Sequence, residues 1–391
     1  MKIAHRIAEL AESATLAVSA KAAQLKAQGV DVVSFGAGEP DFGTPANIVE
    51  AAFKAVRAGH TRYPSPASGL IEAKRAVCAK LQQDNDLTYS PEQVLITPGG
   101  KMAIYMAMQT LLDPGDEVVI PVPYWVSFPE IVRLAGGVPV FVAGSEADDY
   151  KLTPDRLLSV VTSRTRAVIF NSPSNPSGVT YTPEETRRLA EALAGRDVVV
   201  LSDETYDKLV YNDQRVLSFA AAGEGAYRLT LTMNSASKPY AMTGWRVGYV
   251  AGDRELISGM ARLQSQTTSG AVTFIQHALA EALTGDQSAV EAMRTEFERR
   301  ADHMYGRLMK MPGVRCPRPT GAFFCFPNVS SGYAKHGVSG SAEFARKLLE
   351  EAHVAVVPGK EFGLDSHVRL SFATSMEQID KGLDRLGRFL A

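Results

Sequence analysis

The sequence predicts an α/β protein: a mainly parallel sheet with helices on both faces, joined to a smaller α+β domain. Three observations predict it. Short β-branched apolar runs recur at intervals of roughly thirty residues, with helix-like stretches between them. The last hundred or so residues abandon that rhythm for a long helical pattern followed by mixed short elements. At 391 residues the chain is also too long for one small core. The expected division is a segment 1–44 that packs with the small domain, a large domain 45–287, and a small domain 288–391.

Taken in order, the runs are EVVIP at 117–121, VPVFV at 138–142, RAVIF at 166–170, DVVVL at 197–201 and LTLTM at 229–233. Apolar residues fill consecutive positions, as in strands buried on both faces. Helical stretches at 129–135 and 183–194 lie between runs. In the second, Thr182 suits an N-cap, Pro183 suits the first turn, and Glu184 and Glu185 complement the positive helix end. Beyond residue 288 the pattern predicts a long helix at 288–310 and a strand at 322–326. A helix at 342–352, strands at 354–357 and 368–372, and a closing helix follow.

Composition excludes several classes. Apolar residues make up 45% and charged residues 21%, and the net charge is −2, so nothing marks a nucleic-acid or membrane partner. Three cysteines, Cys78, Cys316 and Cys325, form no CxxC pair, which suits a reducing compartment. The seven histidines are scattered without a metal-ligand spacing, so no metal is expected. No run approaches the ~20 apolar residues of a membrane span. The N-terminus carries Lys2 and Arg6 but also Glu9 and Glu12 and has no unbroken apolar core, unlike a signal or transit peptide, so the cytoplasm is the expected location.

In open α/β sheets ligands bind outside the carboxyl ends of the strands, so the residues after each run carry the chemistry. EVVIP leads to Tyr124 and Trp125, RAVIF to NSPSNPSG with Asn175, DVVVL to SDETY with Asp203 and Tyr206, and LTLTM to NSASK with Lys238. Singly, such an Asp is ordinarily a cap, a Trp core and a Lys a solvated charge. Together they suit pyridoxal phosphate, which needs a lysine for its carbonyl and an acid beside its ring nitrogen. Asp203 fits the acid, Tyr206 and Asn175 the ring oxygen, Trp125 a stacking face, and Lys238 the covalent link and proton carrier. TPGGK at 97–101 opens an apolar helical run with glycine amides, an anion site to which Ser235, Ser237 and Arg246 add donors. Met102 rules out a Walker loop, and GxGxxG is absent. Arg369, in the strand pattern HVRLSF, suits a substrate carboxylate, with a surface salt bridge as the alternative.

With these residues in place, the sequence resembles the class I aminotransferases of fold type I over nearly its whole length. The motifs are GAGEPDF (36–42), TRYPSPASG (61–69), TPGGK, PYW, NSPSNPSG, SDETY, SASKPYAMTGWRVGY (235–249) and VRLSF. The resemblance implies a seven-stranded type of sheet and pyridoxal 5′-phosphate held by Lys238. Asp203 is then the partner of the ring nitrogen, Asn175 and Tyr206 the ring-oxygen contacts, and Trp125 the stacking residue. Gly99, Gly100, Ser235, Ser237 and Arg246 become the phosphate cradle. Arg369 holds the substrate α-carboxylate with the Gly38 backbone and Asn175. Tyr63 reaches the phosphate of a neighbouring subunit, which implies a homodimer with shared sites.

Within the family the chain is most similar to the bacterial aspartate aminotransferases, through SATLAVSAKAAQLKAQG (13–29) and GGK. That likeness gives Lys101 the distal carboxylate of aspartate and glutamate, with a phosphate contact as its alternative, and brings Ser13 and Thr15 to the same pocket. The expected reaction is transfer of the amino group of L-aspartate to 2-oxoglutarate by a ping-pong route. No lysine precedes SAT, so efficient use of prephenate is not expected. Alternatives are an aminotransferase for aromatic amino acids, alanine or a biosynthetic precursor such as prephenate, a β-eliminating lyase, and a regulator that senses pyridoxal phosphate. The last needs a DNA-binding module, for which the motifs beginning at Gly36 leave no room upstream.

Overall fold

The computed structural model describes residues 2–8, 10 and 14–391, with the side chains of 14–16 left aside. The strands, in chain order, are β1 (Val33–Ser34), β2 (Val94–Thr97), β3 (Glu117–Val122), β4 (Val138–Ala143), β5 (Thr165–Asn171) and β6 (Val199–Asp203). They continue with β7 (Thr230–Ser235), β8 (Gly248–Ala251), β9 (Phe324–Cys325), β10 (Val354–Ala355), β11 (Val357–Pro358) and β12 (Val368–Ser371).

Seven strands form the main sheet in the order β2-β8-β7-β6-β5-β3-β4. Neighbours from β7 to β4 pair in parallel, and β8 runs antiparallel to both β7 and β2. The parallel α/β architecture read from the apolar runs is therefore borne out. Helices Gly100–Leu111 and Arg254–Thr267 bury one face of the sheet with Ile104, Met108, Ile257 and Met260. On the other face, Thr273–Thr284 packs with Ala46–Arg57 and Ile71–Asn85 beside β2 and β8, and Pro183–Ala192 covers β5 and β6. Thr182 caps that last helix as expected. Its hydroxyl accepts from Glu185 N at 3.2 Å, and Glu185 Oε2 accepts from Thr182 N at 2.7 Å.

Beyond the long helix Ser288–Leu308, β11, β12 and β9 make a small antiparallel sheet. Separately, β1 pairs in parallel with β10, which ties the N-terminal segment to this C-terminal part. Phe297, Phe323, Phe324, Phe344 and Phe372 fill one apolar cluster there, together with Val33, Phe35 and Tyr206.

Several elements differ from the sequence reading. β2 and β8 were not anticipated, because four residues are too few to display a period. β4 is not buried on both faces: it forms the sheet edge, and Val138 and Phe141 are exposed. The run 322–326 contributes only two strand residues, since Ala322 adopts a left-handed φ of 56°. The run 354–357 divides between two sheets, its first half pairing with β1 and its second with β12. β6 begins at Val199 and extends to Asp203, so the carboxylate closes the strand instead of following it.

Candidate active site

Register decides which side chains meet. Asn171, at the end of β5, lies opposite Asp203 at the end of β6, and Asp203 lies opposite Met233 in β7. Because β8 is antiparallel, its first residue, Gly248, pairs with both Ser235 and Thr97. The end of β7 and the end of β2 are thereby brought to either side of one glycine. No side chain fits there: a Cβ on Gly248 would stand 2.8 Å from Gly100 N and 3.0 Å from Asn234 O.

Gly99 takes φ +87° and is the N-cap of Gly100–Leu111, with no side chain among the described residues bonded to the free helix amides. A Cβ at Gly99 would stand 2.6 Å from an Arg246 guanidinium nitrogen, and one at Gly100 would stand 3.4 Å from Ser235 Cβ. Ser235 Oγ donates to Ser237 Oγ at 2.7 Å and accepts from Ser237 N at 3.0 Å. Arg246 donates from Nη1 to the Thr243 carbonyl at 2.7 Å. Glycine amides, a helix N-terminus, two hydroxyls and a guanidinium thus converge, a donor set that fits a phosphate.

Asp203 is 7% exposed, and its Oδ1 accepts from Thr205 N at 3.2 Å and Thr205 Oγ1 at 2.7 Å. Burial raises its pKa, with Thr205 and then Lys238 opposing. A buried carboxylate in that state favours a cationic N–H beside it, the role a protonated pyridine nitrogen would fill. Lys238 donates from Nζ to the Gly38 carbonyl. Burial pulls its pKa down to about 8, with Glu39 opposing and Arg369 and Arg246 adding to the depression. An amine so depressed is partly neutral near pH 7, as a nucleophile requires.

Arg369 is the largest of the fully buried side chains, 1% exposed. Its Nη1 donates to Asn175 Oδ1 at 2.9 Å and its Nη2 to Gly36 O at 3.3 Å, while Nε has no partner among the described residues. The guanidinium lies 4.4 Å from the Phe324 ring centroid and 5.1 Å from that of Phe362. No carboxylate among the described residues pairs with it, so it is not a surface salt bridge, and burial lowers its pKa to about 10. A buried guanidinium without a counter-ion suits an anionic ligand. Asn175 in turn receives direction from Asn171, whose Oδ1 accepts from Asn175 N at 2.9 Å and whose Nδ2 donates to Asp203 O at 3.1 Å. Tyr206 is buried beside Asn175 and Arg369, its ring edge-on to Phe323 at 5.5 Å.

Lys101 lies in the first turn of Gly100–Leu111, its ammonium 4.9 Å from the Trp125 ring centroid. Desolvation of that ammonium and then the nearby Arg246 lower its pKa, and it forms no ion pair among the described residues. Trp125 is half-buried and edge-on to Phe128. Tyr63 is 83% exposed. Ser13 and the side chain of Thr15 lie outside the described residues. Among the described residues, no cluster of three His, Cys, Asp or Glu is arranged to hold a metal. Sequence reasoning missed Thr205, which holds Asp203, and Asn171, which aims Asn175. Their place beside the motif residues was visible, but which of them turn inward was not.

The model of the family "Aminotransferase class I and II" matches residues 30–386. An aspartate aminotransferase of Geobacillus stearothermophilus is 46% identical over 390 residues, covering 100% of this chain and 99% of that protein. An aspartate/prephenate aminotransferase of Cereibacter sphaeroides is 45% identical over 395 residues, with 100% and 98% covered. Among solved structures, the aspartate aminotransferase of Thermus thermophilus with maleate superposes with a TM-score of 0.94 at 41% identity, both chains covered in full.

Proposed function

The chain belongs to the class I and II aminotransferases, enzymes that work with pyridoxal phosphate, and from that premise we propose that it transfers the amino group of L-aspartate to 2-oxoglutarate. Oxaloacetate leaves before 2-oxoglutarate enters, and L-glutamate is the second product. When bound, pyridoxal phosphate supplies an electron sink for the charge that develops at the substrate Cα.

The protein's residues do the rest. Lys238, with its depressed pKa, would hold the cofactor covalently, and its free Nζ would take and return the substrate Cα proton. Asp203 would keep the ring nitrogen protonated, and Tyr206 and Asn175 would hold the ring oxygen. Gly99, Gly100, Ser235, Ser237 and Arg246 would receive the phosphate, and Trp125 would cover the ring. Arg369, with Asn175 and the Gly38 backbone, grips the α-carboxylate. Lys101 receives the distal carboxylate, so one cationic pocket serves both dicarboxylates in turn.

The observation that carries the reading is the pair of cations without counter-ions among the described residues, Arg369 buried and Lys101 beside Trp125. A relative solved with maleate, a dicarboxylate, agrees with two cationic ends. The test is Lys101→Ala. Its kcat/KM is expected to fall about 100-fold for aspartate and far less for alanine or phenylalanine. Equal losses for all three would remove the distal-carboxylate role. A relative named for prephenate at similar identity makes prephenate the first competing amino acceptor to assay.

We further propose the division into a segment 1–44 with the small domain, a large domain 45–287 and a small domain 288–391. A homodimer is proposed in which Tyr63 of one subunit reaches its partner's phosphate site. No helix among the described residues is long and apolar enough to cross a membrane, and the cytoplasm is the proposed location.

A further inference from the structure

Behind Asp203 lies a buried ionic cluster to which the reaction above gives no role. Lys80, 3% exposed, projects from the helix Ile71–Asn85. Its ammonium pairs with Asp207, donates to Asn85 Oδ1 at 2.8 Å and stands 3.7 Å from Asp84 Oδ2. Asp84 is also paired with Lys208 at 2.6 Å. Asn85 donates from Nδ2 to Glu204 Oε2 at 3.2 Å. Glu204 is itself buried, its Oε1 accepting from Ser202 Oγ at 2.8 Å and Ser218 Oγ at 2.6 Å. Lys80 therefore holds both ends of the turn 204–207, one directly and one through Asn85.

Inside that turn sit the two residues that matter to the site. Thr205 donates twice to Asp203, and Tyr206 lies beside Asn175 and Arg369. The turn is closed by Glu204 N to Met233 O at 2.9 Å and Asp207 N to Glu204 O at 3.0 Å. A buried ion pair adds little net stability over apolar residues of the same volume, so stability is a weak account of Lys80. Fixing a turn whose side chains must stay aimed is a better one, because small displacements at a reacting site carry large rate penalties.

We propose that Lys80 is a positioning residue for Asp203 and Tyr206, acting through Asp207 and the Asn85–Glu204 bridge. The proposal rests on the assignment of Asp203 and Tyr206 to pyridoxal phosphate. Tyr206, by donating to the ring oxygen, lowers the proton affinity of the nitrogen that joins Lys238 to the cofactor. A displaced Tyr206 therefore raises the pH midpoint of the visible band of the loaded enzyme.

The experiment compares the holoenzyme with Lys80→Met, Lys80→Arg and Asp207→Asn. Three readouts are taken: the pH titration of the visible band, kcat and KM for L-aspartate, and thermal melting. Lys80→Met is expected to lower kcat roughly 10- to 100-fold with KM changed less than about threefold, and to raise the band midpoint. Lys80→Arg should recover most of both, and Asp207→Asn should reproduce the loss. Band midpoint and kcat within about twofold of the parent, even with a lower melting temperature, would overturn the proposal. If Lys80→Met does not fold, the isosteric Asp207→Asn decides on the same readouts. A parent that takes up no pyridoxal phosphate would overturn the cofactor reading and this proposal together. A parent that takes it up, with variants that match it, overturns the positioning role alone.

Discussion

Asp203 and Arg369 face the same physical problem from opposite signs. Each is a buried charge whose surroundings among the described residues do not fully neutralise it, and under the proposed function each would be met by a ligand of the other sign. For Asp203→Asn, the volume is kept and the negative charge lost. Single-turnover rates with L-aspartate are expected to fall by a factor on the order of 10² to 10³, while the cofactor still binds. A variant as fast as the parent would remove Asp203 from the chemistry. At Lys238 the depressed pKa sets a pH dependence. The amine is mostly protonated below about 8 and mostly neutral above it, so covalent uptake of pyridoxal phosphate by apoprotein should accelerate as pH rises through that value. Stopped-flow growth of the visible band checks the sign. A rate that falls with pH over this range would contradict it.

Strands and helices position these residues to different tolerances. Gly248 joins β7 and β2 across β8, and its missing Cβ is what lets Gly100 N and Asn234 O approach. Gly248→Ala should weaken cofactor retention by at least about tenfold through the displaced phosphate cradle, measured by equilibrium dialysis. Thr182→Ala is a contrast at a helix end that contributes no residue to the proposed site. Loss of its cap should cost about 1 kcal/mol of stability, read by denaturant melting, with kcat unchanged. The same contrast explains what was legible in the sequence. Long runs such as 117–121 and 166–170 announced their strands by composition, and the Thr182 cap by its Thr-Pro-Glu-Glu pattern. β2 and β8 were too short to announce themselves, and the fate of 322–326 and 354–357 was set by the left-handed Ala322 and by pairing with β1. Local propensity cannot report either.

At the scale of the molecule, the site is assembled from segments far apart in the chain. Gly36–Gly38, the end of β2, the turns after β5, β6 and β7, and β12 all contribute. Arg300 holds the first of these in place, its Nη1 donating to both carboxylate oxygens of Asp41 at 2.8 and 2.9 Å. Asn175, Asp203 and Lys238 were candidates because each comes at or just beyond the end of an apolar run, whereas Gly99, Lys101 and Arg369 were candidates through their motifs alone. The supporting shell of Thr205, Asn171 and Lys80 was not, because it depends on which side chains the register turns inward. The proposed shared sites predict a dimer by sedimentation. Tyr63→Phe should then loosen the cofactor without displacing the subunits, and a monomer with full activity would contradict that arrangement. The most direct test of the central claim is a visible spectrum of the loaded protein before and after excess L-aspartate, with no keto acid present. The account predicts loss of the band of Lys238-bound cofactor and one equivalent of oxaloacetate per site; a band that ignores aspartate yet responds to phenylalanine or alanine would contradict it.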